Sequence, residues 1–353
     1  MIEELIERDK IKKSVIDLFK VNMCLKENER ALILTDIPTI HEWQTNDYPT
    51  LFEMIRRTFL AKMASEIAAE SFPDNDIQFY PYPSTGRSGS ELSEEVASKM
   101  RSSETVVGIT THSLTHTSAR QKATEAGVRV ASMPSFEPEM FYPGGPMNVD
   151  YRRISEETNA MAEQMSTADK VHITAEAGTD ISFNIKDRKT WAETGVLTQD
   201  AKMKVCNLPA GEASVSPIEG TTEGTIVAES GWYPGLREKM TIIVRNGSIA
   251  EIQGGGQVGQ NLTDLLKPGN TGEPYVLRSN IAEFGVGSNP NAKKPDNLLE
   301  AEKIKGTIHI GMGSNFFLGG KIKADYHSDI VVPLPDVSFD GKLVIKKGNW
   351  QIS

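Results

Sequence analysis

The sequence predicts an N-terminal α/β domain with a parallel sheet, over residues 1–190, followed by a β-rich α+β domain over residues 191–353. Three observations predict this. A chain of 353 residues exceeds the usual size of one core. Apolar strand-like runs alternate with helical patterns through about residue 135, as βαβ units require. From about residue 201 glycine and proline become frequent and the apolar runs shorten, as in hairpins and antiparallel sheets.

Taken in order, residues 1–27 place Ile2, Leu5, Ile6, Val15, Leu18 and Phe19 at helical spacing, an amphipathic helix. ERALILTD (29–36) reads as a buried strand, residues 49–71 as a helix, and IQFYPY (77–82) as a strand. ELSEEVASKM (91–100) is helical with Ser90 as its N-cap. TVVGITT (105–111) is a strand, SARQKATEAG a helix closed by Gly127, and VRVASMP (128–134) a strand ended by Pro134. No GxGxxG turn or GKS/T loop follows these strands, so this half has no nucleotide cradle. After a helix at 151–167, VHITAEAGTDISFNI (171–185) reads as two strands joined around Ala177 and Gly178. The domain change is placed near 186–200. Beyond it EGTIVAE, MTIIVRNGSIAEIQGGG and GKLVIKKGNW read as strands or hairpins, with Asn246-Gly247 the strongest turn signal. QVGQNLTDLLK and NLLEAEKIK interrupt them as helices.

The net charge of −10 argues against a nucleic-acid partner, which needs a basic surface. The two cysteines, Cys24 and Cys206, form no CxxC pair, so a disulfide framework and a thiolate metal site are not expected. The N-terminus is charged throughout, without the apolar core of a signal peptide, and no run approaches the roughly 20 apolar residues of a spanning helix. A cytoplasmic protein with no membrane partner is expected. Hydrophobic content of 38% and charged content of 24% fit a folded chain.

Chemistry concentrates between Glu212 and Asp329. The segment GTIHIGMGSNFFLGGKIKADYHSDIVVP holds His309, His327 and Asp329. In an extended segment His327 and Asp329, two apart, point to one side and can reach one ion. Two imidazoles and a carboxylate suit zinc, cobalt, manganese or ferrous iron. Read one at a time, these residues have plainer explanations: a solvated His-x-Asp face, a hydrogen-bonded core His309, a turn carboxylate at Glu212. Glu283 is different, because a carboxylate between Ala282 and Phe284 is costly to bury unless it is paired or metal-bound. Elsewhere, His112, His116 and Arg120 lie just past a strand end, where they contact a substrate carboxylate or support packing. Asp180 and Arg188 are read as an ion pair in a hairpin or as cleft residues. The four tryptophans, Trp43, Trp191, Trp232 and Trp350, are read as packing.

NLPAGEASVSP with EGT, IAEFGVGSNPNA, GTIHIGMGSN and DYHSDIV, in this order, resemble the aminopeptidase T and aminopeptidase S family of metallopeptidases. The resemblance covers residues 200–350 and extends more weakly to SLTHTSAR, VASMP and GTDISFNIKDR. It implies metal ligation by Glu212, Glu283, His309, His327 and Asp329. It also implies two divalent ions (Zn, Co or Mn), a homodimer, and a hydrolase that releases N-terminal amino acids from small peptides. Either Glu212 or Glu283 would act as the catalytic proton shuttle. One departure is Phe316, where the family has a tyrosine; Tyr326 is a candidate replacement in space, and Glu302 is a further acid or part of a solvated helix face. A related branch, the ferrous-iron dioxygenases that open 2,5-dihydroxypyridine, matches at His327 and Asp329. That branch has histidine where this chain has Glu283, and it replaces Glu212 and His309. The hydrolase reading is preferred on those ligands, with an Fe(II) ring-cleaving dioxygenase as the alternative.

Overall fold

The computed structural model describes residues 6–201 and 203–351. Two compact units emerge. The first combines Met1–Arg152 with Gly195–Ala210, and the second combines Arg153–Thr194 with Gly211–Ser353. Ile2 and Leu5, part of the expected first helix, lie outside the described residues.

The first unit is built on a five-stranded parallel sheet. Its order is Asp76–Pro83, Arg30–Ile37, Thr105–Thr110, Arg129–Pro134 and Val205–Asn207. The central strands are buried along nearly their whole length, which explains why they read as continuous apolar runs. Leu32, Leu34, Val106 and Val130 pack against Val96, Met100 and Ala123 of the helices Glu94–Arg101 and Ser118–Glu125. The first of these helices is capped by Ser93, whose hydroxyl accepts from the Val96 N–H, and not by Ser90. The long helix Tyr48–Ser71 starts at Asp47, which accepts from the Thr50 N–H at 3.0 Å. Asp36, at the end of its strand, accepts from the Thr111 and His112 backbone N–H groups at 2.6 and 3.1 Å.

The second unit is a pair of antiparallel sheets packed face to face. The larger runs Ser248–Gly254, Met240–Arg245, Glu223–Ala228, Asp180–Asn184, Lys170–Thr174, Asp336–Phe339, Lys342–Lys346 and Asn349–Trp350. Its first hairpin turns at Asn246 and Gly247, both at positive φ (49° and 73°), as a two-residue turn demands. The smaller runs His327–Pro333, Thr307–Gly313, Ile281–Gly287, Glu212–Val215 and Thr190–Glu193. Phe183, Ile226, Ile242 and Val337 of the larger sheet meet Val215, Phe284, Val286, Ile308, Ile310, Ile330 and Val332 of the smaller one. Phe284 sits at the centre, its ring 5.4 Å from Phe183 and 6.4 Å from Phe339.

The α/β-plus-β-rich architecture is as the sequence predicts, but the chain does not divide once at 190/191. The helix Tyr151–Ser166 already belongs to the second unit's core through Met161, Ala162 and Met165. Residues 195–210 then return to add the fifth parallel strand. Asp180 pairs with His172 at 2.9 Å, whereas Arg188 pairs with Glu219, so these two do not form one ion pair. Trp43 is 54% exposed and not packed away. Among the described residues no helix is long and apolar enough to cross a membrane.

Candidate metal centre

The smaller sheet of the second unit carries the chemistry on one face. Side chains alternate along a strand, so Phe284 and Val286 face the core while Glu283, Gly285 and Gly287 face away. The same holds for Ile308, Ile310 and Met312 against His309, Gly311 and Gly313. The register then sets functional residues beside glycines. Glu283 pairs with Gly311, Gly311 with Asp329, Gly313 with His327, Gly285 with His309, and Gly287 with Glu212. These glycines are required by space. A Cβ on Gly285 would fall on the His309 imidazole. A Cβ on Gly311 would meet Glu283 Cβ at 2.7 Å, Asp329 Oδ1 at 2.8 Å and His327 Cε1 at 3.0 Å.

The five residues expected as ligands come together, in two groups joined by Glu283. In the outer group His327 Nε2 lies 3.2 Å from Glu283 Oε2 and 3.5 Å from Asp329 Oδ1. In the inner group His309 Nε2 lies 3.3 Å from Glu212 Oε2, with Glu302 completing the set. Glu283 turns its other oxygen toward His309 at 3.9 Å. Within each group the donor atoms lie within 4.8 Å of one another.

His327 Nδ1 is 3.0 Å from the Ser314 carbonyl, so Nδ1–H donates to that carbonyl and Nε2 faces the acids. Phe317 covers this imidazole edge-on, ring centroids 5.1 Å apart. Phe316 is 61% exposed, and Tyr326, offered above as its replacement, packs on the apolar core instead. Phe316 carries no hydroxyl that could ligate an ion.

Sequence reasoning missed two partners and misplaced one. Glu302 is at the site and not on a solvated helix, because only Leu298–Ala301 is helical there. Lys303 is fully buried and binds Glu193 at 2.8 Å, Glu212 at 2.6 Å and Glu302 at 2.8 Å. The apolar neighbours in EKIKG gave no sign of this, since a lysine next to a glutamate ordinarily reads as a solvated pair.

The electrostatics favour a cation. Glu193, Glu212, Glu283, Glu302 and Asp329 face one ammonium and two imidazoles, mostly out of water. Burial opposes ionisation of Glu283, but hydrogen bonds and charge from His309 and His327 hold its carboxyl well below the usual range. Burial likewise opposes ionisation of Asp329, which His327 outweighs to lower it. Burial also works against charge on His309, yet Glu283, Glu212 and Asp329 push it up to about 9. His327 is driven well above its usual value, against burial, by Asp329 and Glu283. In the inner group burial raises Glu212, and burial raises Glu302 to about 7, each against the pull of Lys303. Among the described residues, Glu212 Oε2, His309 Nδ1 and Asp329 Oδ1 are buried with no hydrogen-bond partner. Imidazole nitrogens and carboxylate oxygens with unused lone pairs fit a divalent ion, ferrous iron included.

Fold and site together define a class: chains that present a candidate divalent-metal centre of imidazoles and carboxylates on one face of an antiparallel sheet. The family model of 2,5-dihydroxypyridine 5,6-dioxygenase (NicX) matches residues 25–352, and the chain belongs to that family. The 2,5-dihydroxypyridine 5,6-dioxygenase of Pseudomonas putida KT2440 is 25% identical over 255 residues, 68% of this chain and 69% of that protein. The solved structure of 2,5-dihydroxypyridine dioxygenase from the same organism matches with a TM-score of 0.72 at 18% identity, over 97% of each chain. Wild-type AmpT from Thermus thermophilus matches with a TM-score of 0.66 at 14% identity, over 98% of this chain and 99% of that one. The last two likenesses concern fold.

The expected metallo-aminopeptidase is therefore corrected. The family match and the Pseudomonas putida relative are both dioxygenases, and the likeness to AmpT shows a shared fold. The physical reason for the error is that acids and imidazoles of this kind serve metal-dependent hydrolysis and oxygen chemistry alike, so the retained Glu212 and His309 could not decide between them.

Proposed function

We propose that this chain is a mononuclear ferrous-iron dioxygenase that opens a dihydroxylated aromatic ring of the 2,5-dihydroxypyridine kind. The observation that carries the reading is the family match, which runs through every strand of the metal-bearing sheet. Glu283, His327 and Asp329 are the residues that would hold the iron. When bound, ferrous iron supplies the one-electron chemistry that lets dioxygen react with an aromatic ring.

The remaining roles belong to the protein. The Ser314 carbonyl fixes the His327 ring so that Nε2 faces the centre. Gly285 and Gly311 carry no side chain, which lets the His309 imidazole and the outer donors lie directly against the sheet face. Glu212, whose carboxyl burial raises, is suited to take a proton from a ring hydroxyl at its unbonded Oε2. His309, 3.3 Å from that oxygen, is placed to pass charge between Glu212 and Glu283.

The test is oxygen uptake. Protein purified without air, loaded with Fe(II) and given 2,5-dihydroxypyridine is expected to consume one dioxygen per ring lost. His327→Ala or Asp329→Ala should abolish uptake. No uptake with any of a panel of hydroxylated pyridines and benzenes, in protein that holds one iron per chain, would refute the reading.

A further inference from the structure

Lys303 is the buried charge that the proposed chemistry leaves unused. Its side chain is 0% exposed, and all three ammonium hydrogens have a carboxylate: Glu193 Oε2, Glu212 Oε1 and Glu302 Oε1, at 2.8, 2.6 and 2.8 Å. Its backbone is pinned as well. The Lys303 N–H donates to the Glu300 carbonyl at 3.0 Å, and its carbonyl accepts from the Asn289 N–H at 2.9 Å. The segment crosses directly over Gly287, where a Cβ would meet the carbonyl carbons of Lys303 and Ile304 at 2.8 Å. The ammonium therefore has one place to be.

That place is inside one group only. Glu212 and Glu302 are two of the three donors of the inner group, and Lys303 binds both. Among the described residues its ion pairs are the three above, and none reaches Glu283, His327 or Asp329. The two groups offer the same donor types, one imidazole and two carboxylates, but differ in what already neutralises them.

We propose that Lys303 is the built-in counter-ion of the inner group and thereby decides where a divalent ion goes. The first ion enters Glu283–His327–Asp329, and Glu212, Glu302 and His309 stay free of metal beside it. The inference rests on the mononuclear reading above and explains how a face with two candidate groups becomes a single-ion centre. An ion on Glu212 or Glu302 would share a carboxylate with the ammonium. Like charges that close repel strongly even at the effective dielectric of a protein site. The second ion is expected to bind at least about 100-fold more weakly than the first, which corresponds to about 2.7 kcal/mol. Lys303 is a positioning residue in this scheme and touches no reacting atom.

The experiment is an anaerobic Co(II) titration, read by visible absorption and chelator competition, with metal counted per chain. Wild type should show one tight equivalent and a second at least about 100-fold weaker. Lys303→Met removes the counter-ion, so the second equivalent should tighten to within about tenfold of the first. Glu193→Gln keeps the shape and every metal donor but leaves the ammonium less neutralised, so the second equivalent should weaken further, by about tenfold. Opposite movements cannot come from general damage to the site, which would weaken both equivalents. Two equal equivalents in wild type, or a second equivalent unmoved by Lys303→Met, would overturn the proposal. If Lys303→Met does not fold, Glu193→Gln decides: an unmoved or tightened second equivalent overturns it. A titration that behaves as expected in protein that takes up no oxygen would refute the dioxygenase and leave the counter-ion standing.

Discussion

Gly311→Ala and Gly285→Ala add one methyl each to the same face of the same sheet, and the geometry gives them different victims. At Gly311 the added carbon meets Glu283, Asp329 and His327 at 2.7, 2.8 and 3.0 Å, three contacts on the outer group at once. Relaxed non-bonded contacts need about 3.5 Å or more, so these groups must retreat by roughly 0.5–1 Å. His327 cannot simply rotate, because its Nδ1 is held by Ser314 and its ring is covered by Phe317. Overpacking of this kind costs about 1–3 kcal/mol of stability. For metal binding the displacement matters more: disturbing the supports of a ligand set typically costs about 10–100-fold in affinity. At Gly285 the methyl falls on His309, a member of the inner group, and the outer donors are touched only through Glu283. Gly311→Ala should therefore lose Fe(II) affinity by at least about tenfold. Gly285→Ala should keep most of that affinity while losing turnover. The assay is Fe(II) competition against a chromogenic chelator, run beside urea melts that check folding. Near-wild-type Fe(II) affinity in folded Gly311→Ala, or greater loss in Gly285→Ala, would refute the assignment of iron to Glu283, His327 and Asp329.

Three further outcomes are expected. Phe284→Ala should destabilise the protein by about 3–5 kcal/mol in urea melts, since it empties the fully buried contact between the sheets and lies next to Glu283; a loss under about 1 kcal/mol would show that the two sheets do not depend on it. Burial raises the Glu219 carboxyl, but the Lys321 N–H, the Asn315 amide and the Arg188 guanidinium overcome this and hold it at about 2, down from 4.5. Because the folded value is depressed, its contribution is present above about 4.5 and lost as pH falls toward about 2; Glu219→Gln should flatten that part of the stability-versus-pH curve, and an unchanged slope would contradict it. Chelating the metal should lower the midpoint of thermal unfolding, because an ion at 100 times its Kd contributes about 2.7 kcal/mol to the folded state. A midpoint unmoved by chelator and by added Fe(II) would argue against a resident ion.

The site was readable where strand periodicity carried it. Over 283–287 and 309–313 the odd-numbered positions are glycine or a donor and the even-numbered ones are apolar. This alternation places Glu283 and His309 on one face before any coordinates exist. Lys303 escaped, and Glu302 was left between two readings, because they follow a single helical turn, in irregular chain with no period to read. Glu193 escaped because it is the last residue of a short edge strand that only the register with Glu212 brings to the site. The N-terminal sheet was readable through its long apolar runs, but the fifth strand, three residues from Val205 to Asn207, is too short for pattern to reveal. The division into units failed for a related reason: the chain crosses between cores more than once, and composition along a sequence reports only an average.

The activity was the least legible part, and the structure shows why. The five ligands that the aminopeptidase resemblance implies lie close together, so counting ligands alone does not separate the two chemistries. A donor set states what an ion would touch, and it leaves unstated whether a second ion can come. That second question is one of charge. The outer group meets its two acids with His327, while the inner group meets its acids with His309 and a lysine that no metal-ligand pattern would include. An aminopeptidase T fold and a dioxygenase family are compatible in one chain on these terms, because the fold supplies the sheet and the register, and a residue outside the donor set can fix how many ions the face accepts.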